Sequence, residues 1–148
     1  MQLSQEQLEQ IKKNCIFCKI ARKEIKSEII YEDESIIAVL DINPVNSGHT
    51  LIFPKEHYMI TAQVPESILA RMAILAKTLS NAMIKGMGFK GVSIFIANGA
   101  AAGQRAPHII MHVIPRMEND SARLEPGEKE IDQTDVLETL RKSIQRVI

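Results

Sequence analysis

The sequence predicts an α+β fold: a five-stranded, largely antiparallel sheet with one long central helix and additional helices at the N- and C-termini. Three observations carry this prediction. Five short apolar runs are bounded by turn residues, one long helical pattern falls between the third and fourth of them, and strand and helix do not alternate as a doubly wound parallel sheet requires. At 148 residues the chain can bury a real core as one domain.

Each element has its own signal. Ser4 followed by Gln7 makes a capping-box pattern, and Leu8 and Ile11 give a weak apolar stripe toward Asn14, so a short N-terminal helix is expected. "CIFCKIARKEI" gathers Ile16, Phe17, Ile20 and Ile25 around a cysteine pair, as a turn entering a brief helix. "EIIYEDESIIAVLD" reads as a hairpin with strands near 28–32 and 35–40. "NPVNSG" is a loop, and "HTLIFP" is a third strand that Pro54 ends.

From Pro65 to Met87, residues Ile68, Leu69, Met72, Leu75, Leu79, Ala82 and Met83 recur at spacings of three and four, with Gly86 and Gly88 at the end, which predicts the long helix. "GVSIFIAN" and "HIIMHVIP" are the last two strands, joined by "GAAAGQRAP". "EPGEKEIDQ" is a solvated linker, and Val136, Leu137, Leu140, Ile144 and Val147 make a C-terminal amphipathic helix. The chain therefore divides into an N-terminal helical extension (1–14), a central domain (15–117), and a linker with terminal helix (118–148).

Composition narrows the function. Lys plus Arg and Asp plus Glu each number 18, so no basic field invites nucleic acid and no acidic excess favours disorder. The chain has no run of eighteen apolar residues and a polar start, so neither a membrane span nor a secretory signal is expected, and a cytoplasmic protein is.

Two groups of residues could carry chemistry. Cys15 and Cys18 are spaced C-x-x-C, too close for a framework disulfide and open to metal binding, redox chemistry or simple burial. Redox chemistry needs a βαβ context that the chain lacks. Zinc needs four ligands, and His57 and His108 are among the four histidines available to complete the set. The second group is the loop "NGAAAGQRAP", whose small residues let an anion approach the backbone, followed at once by His108 and His112. Positioned donors beside imidazoles are what a phosphoryl group requires. On a strand, His108, Ile110 and His112 share one face.

The stretch from "CIFCKIARKEI" through "NPVNSGHTLIFPKEHY", together with "NGAAAGQRAPHIIMHVIPR", resembles the histidine triad family of nucleotide-binding proteins over about Cys15 to Arg116. The resemblance implies a dimer with a continuous sheet and a purine nucleotide such as AMP or GMP as ligand. It implies a base held by Ile16, Phe17, Ile20 and Ile25, a ribose at Asp41 and Ile42, and a phosphate at Asn98, Gly103, Gln104, Arg105 and His112. The zinc-containing branch implies metal ligands Cys15, Cys18, His57 and His108, with His49 orienting the triad from behind.

One departure changes the expected activity. The family pattern places the nucleophilic histidine where this chain has Ile110, which has no lone pair to attack phosphorus. His112 lies two residues along, a displacement of roughly 6.5 Å that in-line attack does not tolerate. The expectation is a zinc-stabilised nucleotide-binding protein with impaired hydrolase or transferase chemistry. The alternatives are an active nucleoside phosphoramidate or dinucleotide hydrolase using His112 or activated water, and a zinc-stabilised dimeric interaction module with a vestigial pocket.

Overall fold

A computed structural model of the chain describes residues 3–123, 133 and 135–147. Five antiparallel strands form one sheet in the order β1-β2-β3-β5-β4. They are β1 (Ile29–Glu32), β2 (Ile36–Leu40), β3 (Thr50–Pro54), β4 (Gly91–Ile96) and β5 (Met111–Arg116). The helices are α1 (Gln5–Asn14), α2 (Ile16–Ala21), α3 (Glu66–Asn81) and α4 (Val136–Val147).

Strand alternation sorts the apolar residues onto two faces. Ile36, Ala38, Ile52, Met111 and Val113 meet Met72, Leu75, Ala76 and Met83 of the long helix in the main core. On the opposite face Ile37, Val39, Leu51 and Phe53 form a second cluster with Ile20, joined by the half-buried Phe17, Ile25 and Ile110. Both faces of β2 and β3 are covered, so their sequences read as continuous apolar runs. A π-helical turn, Ala82–Gly86, extends α3. Together they give 21 residues with a mean hydropathy of 1.2 over an 18-residue window, long and apolar enough to cross a membrane by length and composition. Its buried stripe against the sheet makes it the core helix here, and Arg71 within it pairs with Asp33 at 2.5 Å.

The Ser4 capping box is formed, with Gln7 N–H donating to the Ser4 hydroxyl and Ser4 N–H to the Gln7 side chain. The C-terminal helix is present, and its apolar residues Leu137, Leu140, Ile144 and Val147 are exposed. The linker "EPGEKEIDQ" lies, except for Gln133, outside the described residues.

The last strand differs from expectation. It starts at Met111, so His108 stands in a bend before it rather than opening it. The reason is local: Ile109 N–H donates to the Tyr58 carbonyl at 2.7 Å, outside the sheet ladder. His108, Ile110 and His112 still project to one side. The His108 ring lies against Phe17 and Phe53, Ile110 packs with the same cluster, and His112 pairs across the ladder with Leu51.

Candidate metal centre and histidine relay

Cys15 closes α1 and opens α2, and Cys18 follows three residues later on the same helical face. His57 follows β3 and His108 precedes β5. The Cys18 sulfur lies 3.2 Å from His57 Nδ1, and the Cys15 and Cys18 sulfurs lie 3.5 and 3.6 Å from His108 Nδ1. The four ligand atoms are within 4.8 Å of one another and could hold a metal ion. Tetrahedral zinc, with sulfur at about 2.3 Å and nitrogen at about 2.0–2.1 Å, separates sulfur from nitrogen by about 3.5 Å.

The surroundings also fit a cation. His108 Nε2–H donates to the Pro54 carbonyl at 2.9 Å, which turns its Nδ1 lone pair toward the sulfurs, the outer-shell contact that metal-binding histidines make. Burial pushes His108 down to about 4 and lowers His57, so both rings are neutral at pH 7. Burial, followed by the neighbouring Cys15 thiol, pushes Cys18 up to about 12. The Cys18 thiol therefore keeps its proton until a cation replaces it. His57 Nε2 is buried with no hydrogen-bond partner.

A second cluster lies on the sheet beside this one. His49 Nε2 is 3.0 Å from His112 Nδ1, and Asp41 Oδ2 is 3.5 Å from His49 Nδ1. Val45 N–H donates to that same Nδ1 at 3.1 Å. Burial lowers His49 against the opposing pull of Asp41, and burial with the adjacent His49 lowers His112. Phe95 of β4 stacks on His112 at 4.6 Å with the planes 5° apart.

The loop carrying Val45 is held at both ends. Asn46 Nδ2–H donates to the Pro115 carbonyl and to Asp120, and Asp120 pairs with Arg116. Gly48 takes φ +92°, and a Cβ there would come within 3.3 Å of Pro115, so glycine is needed for the approach to β5.

The remaining expected site residues are distributed around this face. Phe17 packs edge-on against Phe53 at 4.9 Å, Ile20 is buried and Ile25 half-buried in the second cluster, while Ile16 is nearly half exposed. Asp41 is half-buried just past β2, and Ile42 is 86% exposed. Gln104 braces its own loop. Its Oε1 accepts from Gly99 N–H, and its Nε2–H groups donate to the Met59 and Ala106 carbonyls. Gly103 has φ +86° and donates its N–H to the Ala100 carbonyl. Asn98 Oδ1 accepts from Thr61 N–H, and Arg105 is exposed.

The sequence reading did not include Phe95, the Val45 N–H or the Pro54 carbonyl. The first was reachable from the β4–β5 register, which pairs Phe95 with His112. The other two are main-chain groups, which leave no trace in residue type.

Comparison with known proteins agrees with this fold. The HIT domain family model matches residues 22–119. An uncharacterized HIT-like protein of Methanocaldococcus jannaschii is 42% identical over 129 residues, covering 86% of this chain and 98% of that protein. A zinc-bound histidine triad family protein from Mycobacterium smegmatis superposes with a TM-score of 0.71 at 31% identity, covering 92% of this chain and 96% of that one. A histidine triad nucleotide-binding protein from Candida albicans does so with a TM-score of 0.79 at 26% identity, covering 91% and 100%.

Proposed function

The chain belongs to the histidine triad (HIT) family, and from that premise we propose that it is a zinc-stabilised purine nucleotide-binding protein that has lost the family's covalent nucleotidyl chemistry. Ile110 carries this reading. It stands midway between His108 and His112, offers no lone pair, and packs with the apolar cluster of the α2 side. The base of AMP or GMP lies against Ile16, Phe17, Ile20 and Ile25, and the ribose meets Asp41 and Ile42. The phosphate is received near Asn98, Gly103, Gln104, Arg105 and His112.

Cys15, Cys18, His57 and His108 hold the zinc, supported by their spacing and by the zinc-bound relative from M. smegmatis. Bound there, the ion ties the N-terminal helices to β3 and to the segment entering β5. Two copies pair along the β4 edge, where Ile94 and Phe95 are nearly half exposed.

Calorimetry on the full chain with AMP and with GMP tests the reading. Saturable binding of at least one is expected. The absence of heat with both would leave a vestigial pocket in a zinc-stabilised interaction module.

A further inference from the structure

The two histidines of the metal centre are not equivalent. His108 is fully buried, its ring lies against Phe17 and Phe53, and its Nε2–H is already given to the Pro54 carbonyl. His57 is only half-buried, and its ring meets that of His108 edge-on at 5.2 Å. With His57 Nδ1 turned to the Cys18 sulfur at 3.2 Å, the proton of the neutral ring belongs on Nε2. That nitrogen is buried, and no group among the described residues accepts from it. A buried N–H without an acceptor has given up water for nothing, and ligating histidines normally avoid this through an outer-shell partner. His57 therefore regains a hydrogen bond by turning outward, whereas His108 would lose one.

A contact between two segments opposes that turn. Cys15 N–H donates to the Lys12 carbonyl at 3.3 Å, so the last turn of α1 runs directly into the first cysteine. From the same turn Lys12 Nζ donates to Glu56 Oε1 at 2.8 Å, across 44 positions, and Glu56 immediately precedes His57. The main chain around His57 is anchored separately, by Lys55 N–H donating to the Ser35 carbonyl and Ile109 N–H to the Tyr58 carbonyl. The freedom that remains is that of the His57 side chain and of the cysteine-bearing helices against it.

We infer that His57 is the exchangeable member of the ligand set, and that the Lys12–Glu56 ion pair latches the cysteine-bearing segment against it, so that a metal ion enters and leaves on the α1 side. The inference rests on the zinc assignment proposed above. Lys12 and Glu56 are positioning residues outside the ligand set. In the exchange a donor atom of the acceptor takes the place of His57 Nδ1, with no oxidation or reduction.

The latch is tested by following zinc as it leaves the zinc-loaded full chain on mixing with an excess of a chromophoric chelator. Lys12 and Glu56 are 41% and 61% exposed, so their pair is of modest strength, and Lys12→Met should speed release about two- to fivefold. The charge-swapped chain, Lys12→Glu with Glu56→Lys, should return the rate to within about twofold of the original, which a general loosening of α1 would not do. Equal rates in the unaltered chain and Lys12→Met would overturn the latch.

The exchangeable ligand is tested with Co²⁺ as the probe metal. In His57→Ala the visible Co²⁺ absorption of the unaltered chain should weaken and then return on addition of imidazole, which fills the position the side chain has left. Absorption that imidazole does not restore would overturn the inference, and so would equal rescue of His108→Ala. Should His108→Ala fail to fold, the His57→Ala result decides alone. If the unaltered chain retains no zinc after loading, the zinc assignment falls and this inference with it. Zinc that is retained but leaves every chain at one rate removes the latch and spares the zinc assignment.

Discussion

At Ile110 the packing of the α2 side and the chemistry of the site meet in one side chain. It is half-buried with Phe17, Ile20 and Phe53, so Ile110→Ala should cost roughly 1–2 kcal/mol in urea unfolding, below the range for a fully buried isoleucine. A loss near zero would mean the side chain is not part of that cluster. At the metal centre, Cys18→Ser should abolish most of the zinc measured per chain by elemental analysis and lower the melting temperature. Unchanged zinc content would reject the ligand set. These residues were legible for different reasons. The cysteine pair and the histidines are residue types with few bland uses at such spacing, whereas Val45 and Pro54 act through main-chain atoms that any residue would supply. Gln104 is placed at the phosphate by the family resemblance, and the contacts that its side chain makes, three hydrogen bonds that brace its own loop, were not legible in the sequence because their partners are the main-chain groups of Gly99, Met59 and Ala106.

Among the elements, the β1–β2 hairpin and α3 are joined through Asp33. Burial raises its pKa, but Ile36 and Ser35 N–H, Arg71 and the Tyr31 hydroxyl together hold the carboxyl well below its ordinary value of 3.8. A carboxyl held down in the folded state contributes stability above the unfolded pKa and loses it as pH falls through the folded one. Asp33→Asn should therefore destabilise the chain by roughly 2 kcal/mol at pH 7, and the difference from the unaltered chain should shrink as pH drops below about 4. A pH-independent difference would contradict this role. The strands and α3 were readable because burial imposes periods of two and of three to four on apolar residues. The start of β5 was not, since the apolar run continues through Ile109 and Ile110 while the Ile109 N–H leaves the ladder for Tyr58.

At the scale of the molecule, the sheet divides the chain's work between its faces. One is sealed by α3 and forms the main core. The other carries α2, the cysteine–histidine cluster and the Asp41–His49–His112 relay. The β4 edge remains open and apolar, with Ile94 47% exposed, and an unprotected edge of that kind favours pairing. Ile94→Asp should halve the mass measured by light scattering if two copies pair there, and an unchanged mass would place the interface elsewhere.

The central claim, a nucleotide site without a nucleophile, is tested most directly by following AMP release from an adenosine phosphoramidate by the unaltered chain beside Ile110→His. The account predicts release at the uncatalysed background for the unaltered chain and a gain above it for Ile110→His. Turnover by the unaltered chain equal to that of Ile110→His would contradict it.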